Sequence, residues 1–216
     1  MTKNDTTANT RERILDEAEV LFARKGYRAV SIREIIQESH CNLAAVNYHF
    51  GQKKNLYQEV FRSRWIPRAK RVQETFKKSL GSGSPSSPAA IVRALTETII
   101  QGPLTEEECH LHYQLMAREQ AEPSEALELI IREVMQPFFS EISGLLCQVF
   151  PESREDDALL LSLLSMFSQI LYFSFARAAV TRITGREYDR AFKARLSDHI
   201  VMFSLHGLDA VKEEGK

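Results

Sequence analysis

The chain has 216 residues, 44% of them apolar and 26% charged, with a net charge of −1. That composition excludes a low-complexity or fibrous chain and suits one or two globular domains. Three widely spaced cysteines, Cys41, Cys109 and Cys147, exclude a disulfide framework and point to a reducing cytoplasm. The polar start from Met1 to Arg13 has no apolar stretch of the signal-peptide kind.

The elements are all helical. Ile14, Leu15, Ala18, Leu21 and Phe22 share one helix face, and Gly26 ends that helix. Ser31 and Glu34 fit a capping box for a second helix over about 31–38, with Ile32, Ile35 and Ile36 inward. Asn42 caps a third, through Phe50. A fourth starts near Lys53, with Leu56, Tyr57, Val60, Phe61 and Trp65 inward; Pro67 ends it, kinks it or opens the next. The stretch 81–90, small and uncharged, is the one linker-like segment.

Five further helices follow. Ile91, Val92, Leu95 and Ile99 mark one, and Leu111, Leu115 and Met116 the next. A long one runs over 127–149 with a kink at Pro137, another covers about 155–182, and the last spans about 188–210. Strand-like alternation is absent. The expected fold is all-α, about nine helices in total, with a three-helix N-terminal domain at 1–55 and a larger helical bundle at 56–216.

Charge divides the chain. Residues 1–80 carry 16 Lys/Arg against 9 Asp/Glu, and residues 81–216 carry 12 against 20. A basic end on an acidic body suits a polyanionic partner, although a solvated face has the same composition. Two short helices joined by about four residues suit a helix-turn-helix at 31–50. Its second helix contains no acid. Val46 and Phe50 face inward, leaving Leu43, Ala44 and Asn47 for base edges, where Asn pairs with adenine and Leu or Ala meets a thymine methyl. Tyr48, His49 and Lys53 then lie beside phosphates, with Ser31, Arg33 and Asn42 completing the DNA-contact set. Tyr48 and His49 also read as helix packing, and Arg33 as a solvated charge.

These residues carry a resemblance. Arg13-Ile14-Leu15, Phe22 to Tyr27, Ser31 to Ile35, Val46 to Phe50 and Lys53 to Leu56 resemble the N-terminal domain of TetR-family regulators over about residues 10–60. The run from Asn42 to Gly51 is similar to the CecR-like subgroup. Met116-Ala117-Arg118-Glu119 and Ala121-Glu122-Pro123-Ser124 resemble that subgroup's C-terminal domain more loosely. The family pattern has Gly and an aromatic where this chain has His40 and Asn47, so turn geometry and base preference are the points of departure.

The resemblance implies a homodimer through the last two long helices and a small-molecule effector bound among the C-terminal helices. It implies a repressor released from a pseudo-palindromic double-stranded operator. Ala158 to Ala176 contain no charge, but five Ser or Gln side chains there argue for a buried helix over a membrane span. Candidate pocket residues are His112, Met116, Phe138, Phe139, Tyr172 and Phe175, each of which also reads as core packing. Cys109-His110-Leu111-His112 suggests zinc, yet His110 and His112 fall on different helix faces, so no metal and no cofactor is expected. Phosphate-loop, nucleophile-elbow and HExxH motifs are missing, so no catalytic residue is assigned. An enzyme and a protein-interaction module without specific DNA binding stand as the rival readings.

Overall fold

The computed structural model describes residues 3–81, 87–149 and 157–214. Residues 82–86 of the expected linker and the turn at Pro151 lie outside them, while residues 88–90 of that linker are helical. Among the described residues there is no strand.

The helices are α1 (Lys3–Lys25), α2 (Ile32–Glu38), α3 (Leu43–Phe50), α4 (Lys53–Val60), α5 (Ile66–Leu80) and α6 (Pro88–Gln101). They continue as α7 (Glu106–Ala121), α8 (Glu125–Ile130), α9 (Gln136–Val149), α10 (Asp157–Phe175), α11 (Arg177–Thr184) and α12 (Arg190–Glu214). Two π turns, Phe61–Trp65 and Ile131–Met135, join α4 to α5 and α8 to α9 without a break. Each stops two residues before a proline, Pro67 and Pro137. A proline ring has no N–H and crowds the carbonyl one turn back, so the preceding turn widens to make room.

The expected helix over 155–182 is two helices. α10 and α11 meet at 79°. Ala176 leaves helical geometry at φ −87°, ψ 23°. The break contains neither glycine nor proline; Arg177 Nε donates to the Ser174 carbonyl at 3.1 Å and Ser174 Oγ to that of Ile170 at 2.8 Å, so side chains satisfy the helix end. No single helix among the described residues is long and apolar enough to cross a membrane, and only this bent pair passes on length and composition.

The chain forms two compact units, one of residues 1–69 and 105–134, the other of 70–104 and 135–216. This differs from the sequential division expected at 55/56, because α7 and α8 pack with α1–α4. In the first unit α1 is the central helix, touching α2, α3, α4 and α7. Ile14, Leu15, Ala18 and Phe22 are fully buried there, beside Ile35, Val46, Leu56 and Phe61. Arg68 and Glu19 form a buried ion pair between α5 and α1. In the second unit α6 and α12 lie together, with α10 against both. Its core holds Phe76, Ile91, Leu95, Ile142, Leu163 and Ile200.

Candidate nucleic-acid interface

Each end of the helix-turn-helix is set by a local signal. Gly26 adopts φ 81° and its N–H donates to Phe22 O at 2.9 Å, closing α1. Ser31 then caps α2, accepting from Glu34 N at 3.1 Å. The expected capping box is only half made, because the Glu34 carboxylate pairs with Lys25 instead. A complete box stands at Thr105 and Glu108, at the start of α7.

The turn between α2 and α3 has a left-handed residue of the kind usually supplied by glycine. His40 sits at φ 50°, alone among the described non-glycine residues. Its N–H donates to Gln37 O at 3.3 Å and that of Cys41 to Ile36 O at 3.2 Å, which is a Schellman closure with His at the left-handed position. Ser39 is buried, and its Oγ donates to Ile35 O at 2.6 Å. Cys41 Sγ lies 3.3 Å from both the Ser39 carbonyl and Arg13 Nη2. The departure from glycine therefore leaves the geometry of the turn intact.

Asn42 caps α3, accepting from Ala45 N at 2.8 Å. Val46 and Phe50 point into the core. The opposite face carries Leu43, Ala44, Asn47 and Tyr48, all exposed. Tyr48 is 78% exposed and Leu43 54%, so neither serves the core of this chain. His49 is half-buried, its ring between those of Tyr48 and Phe50. Arg33 is exposed on α2.

Lys53 opens α4, where Gln52 provides no side-chain cap, leaving the first N–H groups available to an anion. Its ammonium lies 4.4 Å from the centre of the Tyr27 ring, and partial burial lowers its pKa. Tyr27 in turn packs 4.9 Å from Tyr57.

Local pattern did not reveal what lies behind this surface. Arg118 donates to the carbonyls of Ala23 and Arg24, 3.4 and 2.6 Å away, at the end of α1. Glu119, 1% exposed, accepts from Tyr57 Oη at 2.5 Å and from Ser124 N at 3.1 Å. Burial, and then the Glu119 hydrogen bond, push the Tyr57 hydroxyl far above its usual range. Glu122 pairs with Arg28 at 3.3 Å. The signal was the Met116–Ser124 run, read in the sequence as belonging to the other domain. Beside it lies a cleft of 680 Å3 lined by Lys25 to Ala29, Tyr57, Arg118 and 121–124.

The six expected pocket residues fall in three places, and none of them lines that cleft. His112, buried in the first unit, stacks on Trp65 at 4.3 Å, and burial lowers its pKa to about 3. Met116 is half-buried in the same unit. Phe138 and Phe139 sit in the second unit against Phe167, at 6.0 and 4.5 Å. Tyr172 and Phe175 are 46% and 56% exposed on α10. No cluster of three or more potential metal ligands occurs among the described residues.

The family model for the C-terminal domain of the HTH-type transcriptional dual regulator CecR matches residues 88–208, and that for bacterial regulatory proteins of the tetR family matches residues 14–60. The chain belongs to the TetR family, in its CecR-like branch. This regulator is 24% identical over 187 residues to CecR of Shigella flexneri, across 81% of this chain and 80% of that one. In fold it resembles the crystal structure of a TetR-family regulator from Mesorhizobium loti. The TM-score is 0.62 at 18% identity, over 97% of this chain and 98% of the other. It also resembles a transcriptional regulator from Saccharomonospora viridis in complex with choline, with TM-score 0.60 and 20% identity over 92% and 97%. The family consists of DNA-binding transcription regulators, not enzymes.

Proposed function

We propose that this DNA-binding regulator works in the cytoplasm as a homodimeric repressor that a small-molecule effector releases from a pseudo-palindromic operator. The observation that carries the operator reading is the outer face of α3. It presents Leu43, Ala44, Asn47 and Tyr48 to solvent from a helix fixed at both ends by caps. A major-groove helix needs such a face, free of acids and not committed to the core. Asn47 reads a base edge in this arrangement. Tyr48, His49 and Lys53 hold phosphates, with Ser31, Arg33 and Asn42 at the flanks.

Dimerisation has its own support. Leu161, Leu164, Tyr172 and Phe175 recur at helical spacing on one exposed side of α10, and α12 adds exposed Met202 and Phe203. An apolar stripe of this size on two neighbouring long helices suits a partner subunit. One helix-turn-helix makes few base contacts, and two related by a dyad double them. The choline complex of the Saccharomonospora viridis protein is the support for a small-molecule effector.

Asn47→Ala and Tyr48→Ala test the operator reading. Each should weaken binding to a specific duplex while the circular dichroism stays that of the wild type. Full affinity in both variants would mean that α3 does not contact the operator. Release of that duplex by compounds from a small-molecule panel tests the effector, and a protein that stays bound throughout contradicts it.

A further inference from the structure

We propose that Glu119 and Arg118 are positioning residues for operator binding, acting through α4 and α1; this rests on the DNA-binding reading above. Besides its packing on α1, the helix-turn-helix has two covalent attachments to the rest of its unit. The chain enters α2 from the end of α1 through residues 26–31, and leaves α3 into the start of α4 through Gly51 and Gln52. Neighbouring residues on α7 grip both attachments.

Arg118 holds the first. The last carbonyls of α1 have no partner within the helix, and a guanidinium with five donors satisfies them with charge-assisted bonds. Arg118 reaches two such carbonyls, and its Cδ also lies 3.5 Å from where a Cβ on Gly26 would stand. The point at which the chain turns toward Ser31 is therefore fixed from α7.

Glu119 holds the second. Its carboxylate takes the Tyr57 hydroxyl on α4 and the Ser124 N–H, and the Ser124 hydroxyl lies 2.9 Å from Oε2. Ser124 Oγ in turn accepts from Ala126 N, capping α8. The Tyr57 ring is locked edge-on to Phe22 at 4.8 Å and beside Tyr27, whose ring lies under the Lys53 ammonium. One buried carboxylate thus sets the rotation of α4 and the placement of its phosphate-side cation. A buried carboxylate with all its partners defines a single geometry; losing one partner costs several times what a surface pair would. The operator reads that geometry because the tilt of α3 decides which base edges Asn47 reaches.

The experiment compares Glu119→Ala, Glu119→Gln, Tyr57→Phe and Arg118→Ala with wild type. The probe is the duplex that wild-type protein enriches from a random pool. Affinity is referred to the folded fraction, and a duplex set with spacers differing by single base pairs is bound in parallel. Glu119→Ala, Tyr57→Phe and Arg118→Ala should each lose roughly tenfold or more in affinity and lose preference for one spacer. Glu119→Gln keeps an acceptor for Tyr57 and should restore most of both. Folded variants with wild-type affinity and spacer preference would make the brace a mere stabiliser and overturn the proposal. If Glu119→Ala does not fold, Tyr57→Phe decides, since its ring packing is retained. A wild-type protein that enriches no duplex would fail the DNA-binding reading itself, an outcome distinct from the variants matching it.

Discussion

His40→Gly should make this protein more stable without changing what it binds. His40 has a left-handed backbone, φ 50°, at the closure of α2. For an L-residue that conformation costs about 1–2 kcal/mol, at the lower end for His, which visits it more than most. Glycine removes the cost but frees the unfolded chain by about 0.4–1 kcal/mol. The His40 side chain is exposed, so its loss subtracts little. The net gain is up to about 0.6 kcal/mol, which for a chain of this size raises Tm by up to about 2 °C. Thermal unfolding followed by circular dichroism measures it. Operator affinity should stay within a factor of about two, because both turn hydrogen bonds use backbone N–H groups that glycine keeps. A variant with a clearly lower Tm would refute the argument that His40 is strained.

Three other outcomes follow from the packing. Arg68→Met strands the Glu19 carboxylate, 3% exposed, and should cost about 3–5 kcal/mol in urea unfolding. The double variant with Glu19→Leu should recover most of that loss. His112 is neutral when folded because its pKa is near 3, against about 6.5 unfolded. Protons then bind the unfolded chain first, so stability falls as pH drops below about 6.5, by about 2 kcal/mol between pH 7 and pH 5. His112→Leu should flatten that part of the pH profile, and an unchanged slope would contradict the assignment. Phe203→Glu adds a charge to an exposed apolar site on α12 and should shift light scattering toward monomer with helix content intact.

What was legible in the sequence was what local chemistry decides. Gly26, Ser31 and Asn42 mark helix ends because caps act within a few residues, and all three do so in the structure. Pro67 and Pro137 signalled disturbance at the right places, though not that it takes the form of a π turn. The break at Ala176 left no such mark, since Arg177 and Ser174 make it with side-chain bonds. α10 is apolar nearly all round, so its pattern has no phase, and the sequence could not say that Tyr172 and Phe175 face solvent. The brace was illegible for another reason. Tyr57 and Glu119 are 62 residues apart, and nothing in either neighbourhood announces the pairing.

In the proposed function, α3 reads DNA from a two-fold symmetric dimer. Sequencing the fragments that the purified protein enriches from random duplex DNA tests it most directly. The expected result is a pseudo-palindrome with half-sites about one helical turn apart, or a multiple of that, and a base preference within each half-site that Asn47→Ala relaxes. Enrichment of an asymmetric single site, or of no sequence at all, would contradict it.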